Sequence, residues 1–356
     1  MANLLDYLNW RGDLTLAQAP VCEVDALVFS ALSYLPFSGL VGKEPIAIGK
    51  AARALLARHD LQQAVSNEGD LRLLKQLGDC PRFAGLPLAD YAEQTDMQVQ
   101  KQFCALTVLL PDGIYVVFRG TDGTLVGWKE DLNLSFSERI PAQLDALAYL
   151  QYAAERHSGS IRLCGHSKGG NLAIYAAAFC TEDVQQRIVS VHSHDGPGFS
   201  ERIAAEESFL NILPRVHTFA PQTSVIGRLL HHCEDYTVVL SNATGLKQHN
   251  LFSWEVMGGR LVPAEGLTGS SDIINDTVKR WFCTLSVQER REIIDRLYEV
   301  LCASEAEQVS DLHFRALWKA VSGLDKQTRH LCVAALRELF GSAKSVYSER
   351  RRLLKG

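Results

Sequence analysis

Five consecutive residues, Gly165-His166-Ser167-Lys168-Gly169, set a serine between two glycines at the spacing G-x-S-x-G. A short apolar run, Ile161-Arg162-Leu163-Cys164, leads in, and an alanine-rich run, Asn171-Leu172-Ala173-Ile174-Tyr175-Ala176-Ala177-Ala178, leads out. The spacing alone recurs by chance, but a strand before it and a helix after it give it meaning. A strand turning sharply into a helix holds the serine in a strained backbone, with no room for bulk two residues to either side. Gly165 and Gly169 supply that clearance, and small Gly170 and Ala173 let the helix press on a sheet. The chemistry such a turn serves is nucleophilic attack by Ser167 on a carbonyl carbon. The backbone N–H of Lys168 is then one oxyanion donor, at a helix N-terminus whose dipole favours negative charge.

A serine presented in this way needs a sheet beneath it. Residues 99–110 read as a strand, Pro111-Asp112-Gly113 as a turn, and residues 114–118 as a second strand that completes a hairpin. A polar, glycine-containing loop follows at 119–124, then a helix at 141–156 with proline at its start. Residues 187–194 make the strand after the serine helix, broken by Asp195-Gly196-Pro197-Gly198. A helix at 199–212 and a strand at 215–220 follow, then shorter strands at 236–240 and on either side of Gly258-Gly259. Strands alternating with helices around the serine turn predict an α/β fold with a doubly wound, mostly parallel sheet.

Ahead of this core, residues 1–20 read as an irregular lead-in. Residues 23–35, 46–58 and 69–77 carry apolar positions at helical spacing and predict a helical layer that packs on or covers the sheet. Behind it, residues 272–283, 286–302, 311–322 and 325–340 read as helices with charged outer faces, and residues 350–355 as a basic, solvated end. The expected organisation is an N-terminal helical segment (1–98), an α/β core (99–270) and a C-terminal helical appendage (271–356).

Bulk composition narrows the function classes. Apolar residues make up 47% and charged residues 22%, as in ordinary soluble domains, and a net charge of -5 gives no reason to expect nucleic acid. No run approaches ~18 apolar residues, so no transmembrane helix is expected, and the first ten residues do not read as a signal peptide. The 9 cysteines are dispersed with no C-x-x-C pair, which fits a reducing, cytoplasmic setting. No motif calls for a cofactor.

Three blocks resemble the class-three (fungal triglyceride) lipase type of α/β-hydrolase, and more closely the bacterial Mbeg-like proteins. Val117-Phe118-Arg119-Gly120-Thr121 followed by Gly127-Trp128-Lys129-Glu130-Asp131-Leu132 is similar to the lipases' oxyanion strand and its follow-on. Gly165 through Ala173 is similar to their nucleophile elbow, with Lys168 where a neutral residue is commoner. Asp195-Gly196-Pro197-Gly198-Phe199 and Gln248-His249-Asn250-Leu251-Phe252-Ser253-Trp254 are similar to blocks of the Mbeg-like branch. The likeness covers residues 1–262. It implies an α/β-hydrolase fold, an ester substrate, and Thr121 as the second oxyanion donor.

In that fold the base follows the nucleophile and the acid lies between them in the chain. His249, in a loop between two late strands, is the favoured base, with His231-His232 as the alternative. The acid in class-three lipases follows the strand equivalent to 215–220. Here that loop is Pro221-Gln222-Thr223-Ser224-Val225-Ile226-Gly227, without a carboxylate. Asp195, at the end of the preceding strand, is the chosen acid, and Asp235 stands as the alternative.

Two competing readings use other features. His192 and His194 share one face of their strand and could hold a metal ion, although one strand supplies too few ligands. A catalytically inactive hydrolase fold used for binding is the other reading. The reading adopted is a serine hydrolase cleaving a carboxylic ester of a small molecule or lipid. The motifs carry no signature of acyl-chain length, of ester against thioester or amide, or of oligomeric state.

Overall fold

The computed structural model describes residues 2–65, 68–122, 124–268 and 286–302. The helices expected at 272–283, 311–322 and 325–340, and the basic end at 350–355, lie outside these residues. The one expected at 286–302 is present as Val287–Cys302.

Eight strands form one sheet: β1 (Ile46–Ala47), β2 (Pro87–Asp96), β3 (Lys101–Leu110), β4 (Gly113–Phe118), β5 (Ser160–His166), β6 (Ile188–His194), β7 (Val216–Pro221) and β8 (Tyr236–Val239). Their order in the sheet is their order in the chain. β1 with β2 and β3 with β4 are antiparallel, whereas every pair from β4 to β8 is parallel. The protein is therefore a mixed α/β fold on a mostly parallel sheet.

The helices from the start of the chain through the one that follows Ser167 are α1 (Leu4–Arg11), α2 (Glu23–Leu32), α3 (Ile48–Leu56), α4 (Leu61–Ala64), α5 (Glu68–Leu77), α6 (Leu125–Asn133), α7 (Pro141–Arg156) and α8 (Lys168–Phe179). Successive β4 residues point to opposite faces of the sheet. Tyr115 meets Phe29 of α2, ring centroids 5.0 Å apart, while Phe118 meets Tyr149 of α7 at 6.0 Å. Helices thus cover both faces. In α2 every residue from Val24 to Leu32 is buried, so this helix is part of the core rather than a surface cover. Asp25 anchors it through a buried, two-pronged pair with Arg82 (Nε–Oδ1 2.7 Å, Nη2–Oδ2 2.5 Å). Arg82 also donates to the carbonyls of Leu14, Ala19 and Pro20. Among the described residues, no helix is long and apolar enough to cross a membrane.

Several expectations are corrected. The lead-in contains α1, begun by a reciprocal cap between Asn3 and Asp6, and it buries Leu4, Leu5, Tyr7 and Leu8. Its eight residues are too few for periodicity to stand out. Strand β2 falls inside the segment read as helical: its polar residues beyond Tyr91 hide the alternation, and Asp90 within it has a left-handed backbone (φ 57°). The helix at 199–212 is two pieces, Glu201–Ala204 and Glu207–Ile212. The late strand pair, Val256–Met257 with Arg260–Leu261, forms a separate hairpin.

The described chain divides into two compact units. One holds residues up to Gln94, Phe103–Asp122 and Pro141–Leu267. The other includes Thr95–Gln102, α6 with the chain after it to Ile140, and helix Val287–Cys302. Within the second unit, the ammonium of Lys129 is buried between Asn133 (3.0 Å) and Asp295. Glu130 accepts from the Gln102 N–H at 3.1 Å.

Candidate active site

The parallel strands end in step. Phe118 pairs with Gly165, His166 with His194, and His194 with Phe219. The residues that follow these strands therefore leave along one edge: Arg119–Asp122, Ser167, Asp195, and the loop at 222–227. Open α/β sheets bind ligands beyond the carboxyl ends of their parallel strands.

Ser167 has φ 56° and ψ -130°, a left-handed backbone that a serine adopts only under constraint. The expected clearance is real: a Cβ on Gly165 would fall 2.2 Å from the Gly169 carbonyl carbon. Lys168 begins α8, so its backbone N–H is among the helix's first donors, and its side chain is buried. Gly120 lets the loop after β4 pass close to the serine. A Cβ there would lie 2.5 Å from both the His166 carbonyl oxygen and the Tyr34 hydroxyl, and 3.1 Å from Ser167 Cβ. Half-buried Thr121 comes next. Arg119, buried, pairs with Glu93 (2.8 Å) and with Asp122 (3.1 Å), an ion pair that brackets Gly120 and Thr121.

His249 ends a short 3₁₀ turn, Gly245–His249, and its Nδ1 lies 2.6 Å from Asp195 Oδ2. The Asp195 carboxylate is 1% exposed, and its backbone is left-handed (φ 53°). Its other oxygen, Oδ1, accepts from Ser224 Oγ (2.5 Å) and from the Gly227 N–H (3.2 Å). The loop that lacks an acid thus supplies donors that hold the acid of the preceding strand. Gln248 ties that loop to the histidine turn: its Oε1 accepts from the Thr223 N–H (2.6 Å), and its carbonyl accepts from Trp254 Nε1 (2.8 Å).

His166, just before the serine, holds the turn from below. Burial pushes its pKa well below the usual imidazole value, with His249 adding to the effect, so the ring is neutral. Its Nε2–H donates to the His249 carbonyl (2.8 Å), which leaves Nδ1 to accept from the Tyr34 hydroxyl (2.8 Å). The two imidazole centroids are 4.4 Å apart. Sequence reasoning missed Tyr34, Ser224 and Gly227. Ser224 and Gly227 left a trace, as a hydroxyl and a bare N–H in a loop beside a strand end; Tyr34 lies 132 residues from His166 and left none.

The alternatives sit elsewhere. Asp235 is exposed, as is His231, which bridges to Phe199; His232 Nδ1 pairs with Glu234 (2.9 Å). His192 and His194 do share a face, with rings nearly parallel and 6.5 Å apart. Their Nδ1 atoms go to the hydroxyls of Tyr115 and Ser30, each at 3.0 Å, and burial pushes the His194 pKa down to about 3. Among the described residues, no three His, Cys, Asp or Glu side chains converge as metal ligands.

The Mbeg1-like family model matches residues 77–299, from the end of α5 into helix Val287–Cys302. The chain belongs to the Mbeg1-like family. The match starts and ends later than the expected 1–262, so α1 to α4 lie outside it. No curated protein matches the chain. Among solved structures, it is similar to a Rhizomucor miehei lipase propeptide complex, 13% identical over 61% of this chain and 67% of that chain, TM-score 0.38. It is also similar to a fungal lipase–inhibitor complex, 14% identical over 60% of this chain and 79% of that chain, TM-score 0.36.

Proposed function

We propose that this Mbeg1-like chain is a serine hydrolase that cleaves a carboxylic ester through an acyl-enzyme on Ser167. The observation that carries the reading is the 2.6 Å pair of Asp195 and His249 at the sheet edge that also presents left-handed Ser167. With Nδ1–H donated to Asp195, the proton of a neutral His249 is committed, and Nε2 is the nitrogen left to accept from a hydroxyl. Ser167 Oγ attacks the ester carbonyl carbon as His249 Nε2 takes the hydroxyl proton. The carbonyl electron pair moves to oxygen, and the resulting anion is met by the Lys168 N–H and by Thr121. Collapse breaks the bond to the alkoxy group, which leaves with the proton from Nε2. Water then repeats the sequence on the acyl-enzyme, releasing the acid and restoring Ser167. Asp195 holds the imidazolium through its bond to Nδ1.

Small-molecule and lipid esters both fit this chemistry, and the proposed setting is the cytoplasm. A fluorophosphonate probe tests the reading. Labelling of the wild type but not of Ser167→Ala is expected, together with a ~10³-fold or greater loss of ester turnover. Absence of labelling in a folded wild type would favour a binding role for the fold.

A further inference from the structure

A cavity lined by none of the proposed catalytic residues opens between one face of α7 and strand β2. Its volume is about 380 Å³, within the range of small-molecule sites. Tyr91, Phe103, Tyr149 and Tyr152 line it, with the carboxylate of Asp145 and the exposed Lys43. We propose that this cavity binds an organic ammonium group.

The three tyrosine rings are held in place by their hydroxyls. Tyr149 donates to the Asp90 carbonyl (2.9 Å) and lies 2.8 Å from Thr107 Oγ1; Tyr91 donates to Glu93 (3.0 Å); Tyr152 reaches Asp90 Oδ1 (3.4 Å). Asp90 is the hub. Its side chain is wholly buried and is held by His157 Nε2 (2.8 Å) and by the Arg156 guanidinium (3.3 Å). Its left-handed backbone (φ 57°) is a strained state that persists only where the surroundings impose it, and such strain concentrates at ligand sites. Rings fixed in advance lose little freedom when a ligand docks.

The lining selects the charge. Aromatic faces carry negative potential and attract cations, and Asp145 adds a carboxylate to the same walls. One cation already rests on this ring system: the Arg156 guanidinium is 5.5 Å from the Tyr152 centroid. Lys43 is the like charge at the site, and it opposes an incoming ammonium.

The test is calorimetric titration of the full chain with choline chloride, compared with 3,3-dimethyl-1-butanol, its uncharged isostere. Choline is expected to bind saturably and the isostere at least tenfold more weakly. Tyr91→Ala and Tyr152→Ala should each weaken choline by roughly two- to thirtyfold. Asp145→Asn should weaken it, Lys43→Met should tighten it, and Tyr152→Phe, which keeps the ring, should bind within about threefold of wild type. Circular dichroism on each variant confirms that it folds. Sedimentation with phosphatidylcholine vesicles, lost in Tyr152→Ala, would place the ammonium on a lipid headgroup; choline binding without sedimentation would place it on a free solute. Equal affinity for choline and its isostere, or no saturable choline binding by the folded wild type, overturns the proposal. Binding unchanged in both alanine variants does the same. Ester turnover enters none of these readouts, so the result stands apart from the fate of Ser167.

Discussion

Asp195→Asn is the perturbation whose consequence follows most directly from the structure. The substituted amide has one acceptor and one donor end, and the site decides which way it points. Ser224 Oγ–H and the Gly227 N–H both donate to the Oδ1 position, so the amide oxygen is held there. The amide NH₂ then faces His249 Nδ1, which must become the acceptor, and the imidazole proton moves to Nε2. A histidine protonated at Nε2 cannot accept the Ser167 proton. The buried charge that would stabilise the imidazolium is lost as well. Together these effects should cost ~10³–10⁴-fold in kcat, about 4–5.5 kcal/mol of barrier, with KM little changed. The assay is hydrolysis of a p-nitrophenyl ester, with Asp235→Asn alongside and the fluorophosphonate labelling rate as a second readout. Adding Ser224→Ala to Asp195→Asn removes one of the two donors that fix the amide and should restore part of the rate. Asp195→Asn within about tenfold of wild type, with Asp235→Asn the slower enzyme, would refute the assignment of the acid.

Other outcomes follow from the same geometry. Gly227→Ala places a Cβ 2.2 Å from Asp195 Oδ1, so the carboxylate must shift; turnover should fall ~10²-fold while urea denaturation changes little. Asp25→Ala strands the buried Arg82 guanidinium and should destabilise the fold by about 3–5 kcal/mol in the same measurement. Acid should unfold the protein early. His166 and His194 stay neutral in the folded state at pH values where the unfolded chain, with imidazoles near 6.5, takes up protons. Their contribution is complete above pH 6.5 and is lost as pH falls toward the folded values, about 3 for His194, at up to about 1.4 kcal/mol per unit per histidine. A melting temperature constant from pH 7 to pH 5 would contradict this.

Local physics made much of the fold readable. The strands at Gly113–Phe118, Ser160–His166 and Ile188–His194 are short apolar runs bounded by turn residues, and α8 follows its glycines as an alanine-rich helix. Elements with weak local signals escaped. β2 carries polar residues and a left-handed Asp90, and α1 owes its existence to a cap and to the core it covers.

Sequence alone specified the strained turn at Ser167, because two glycines at fixed spacing between a strand and a helix leave the backbone one way to run. It also placed Asp195 at a strand end and His249 in a late loop. Which carboxylate meets which imidazole was decided only in three dimensions. Asp195 and His249 are 54 residues apart, and Ser224 and Gly227, which hold the carboxylate in place, are 29 and 32 residues from Asp195. Strand register sets those separations in space, and register depends on packing across the whole sheet, on both faces, rather than on any one stretch of chain.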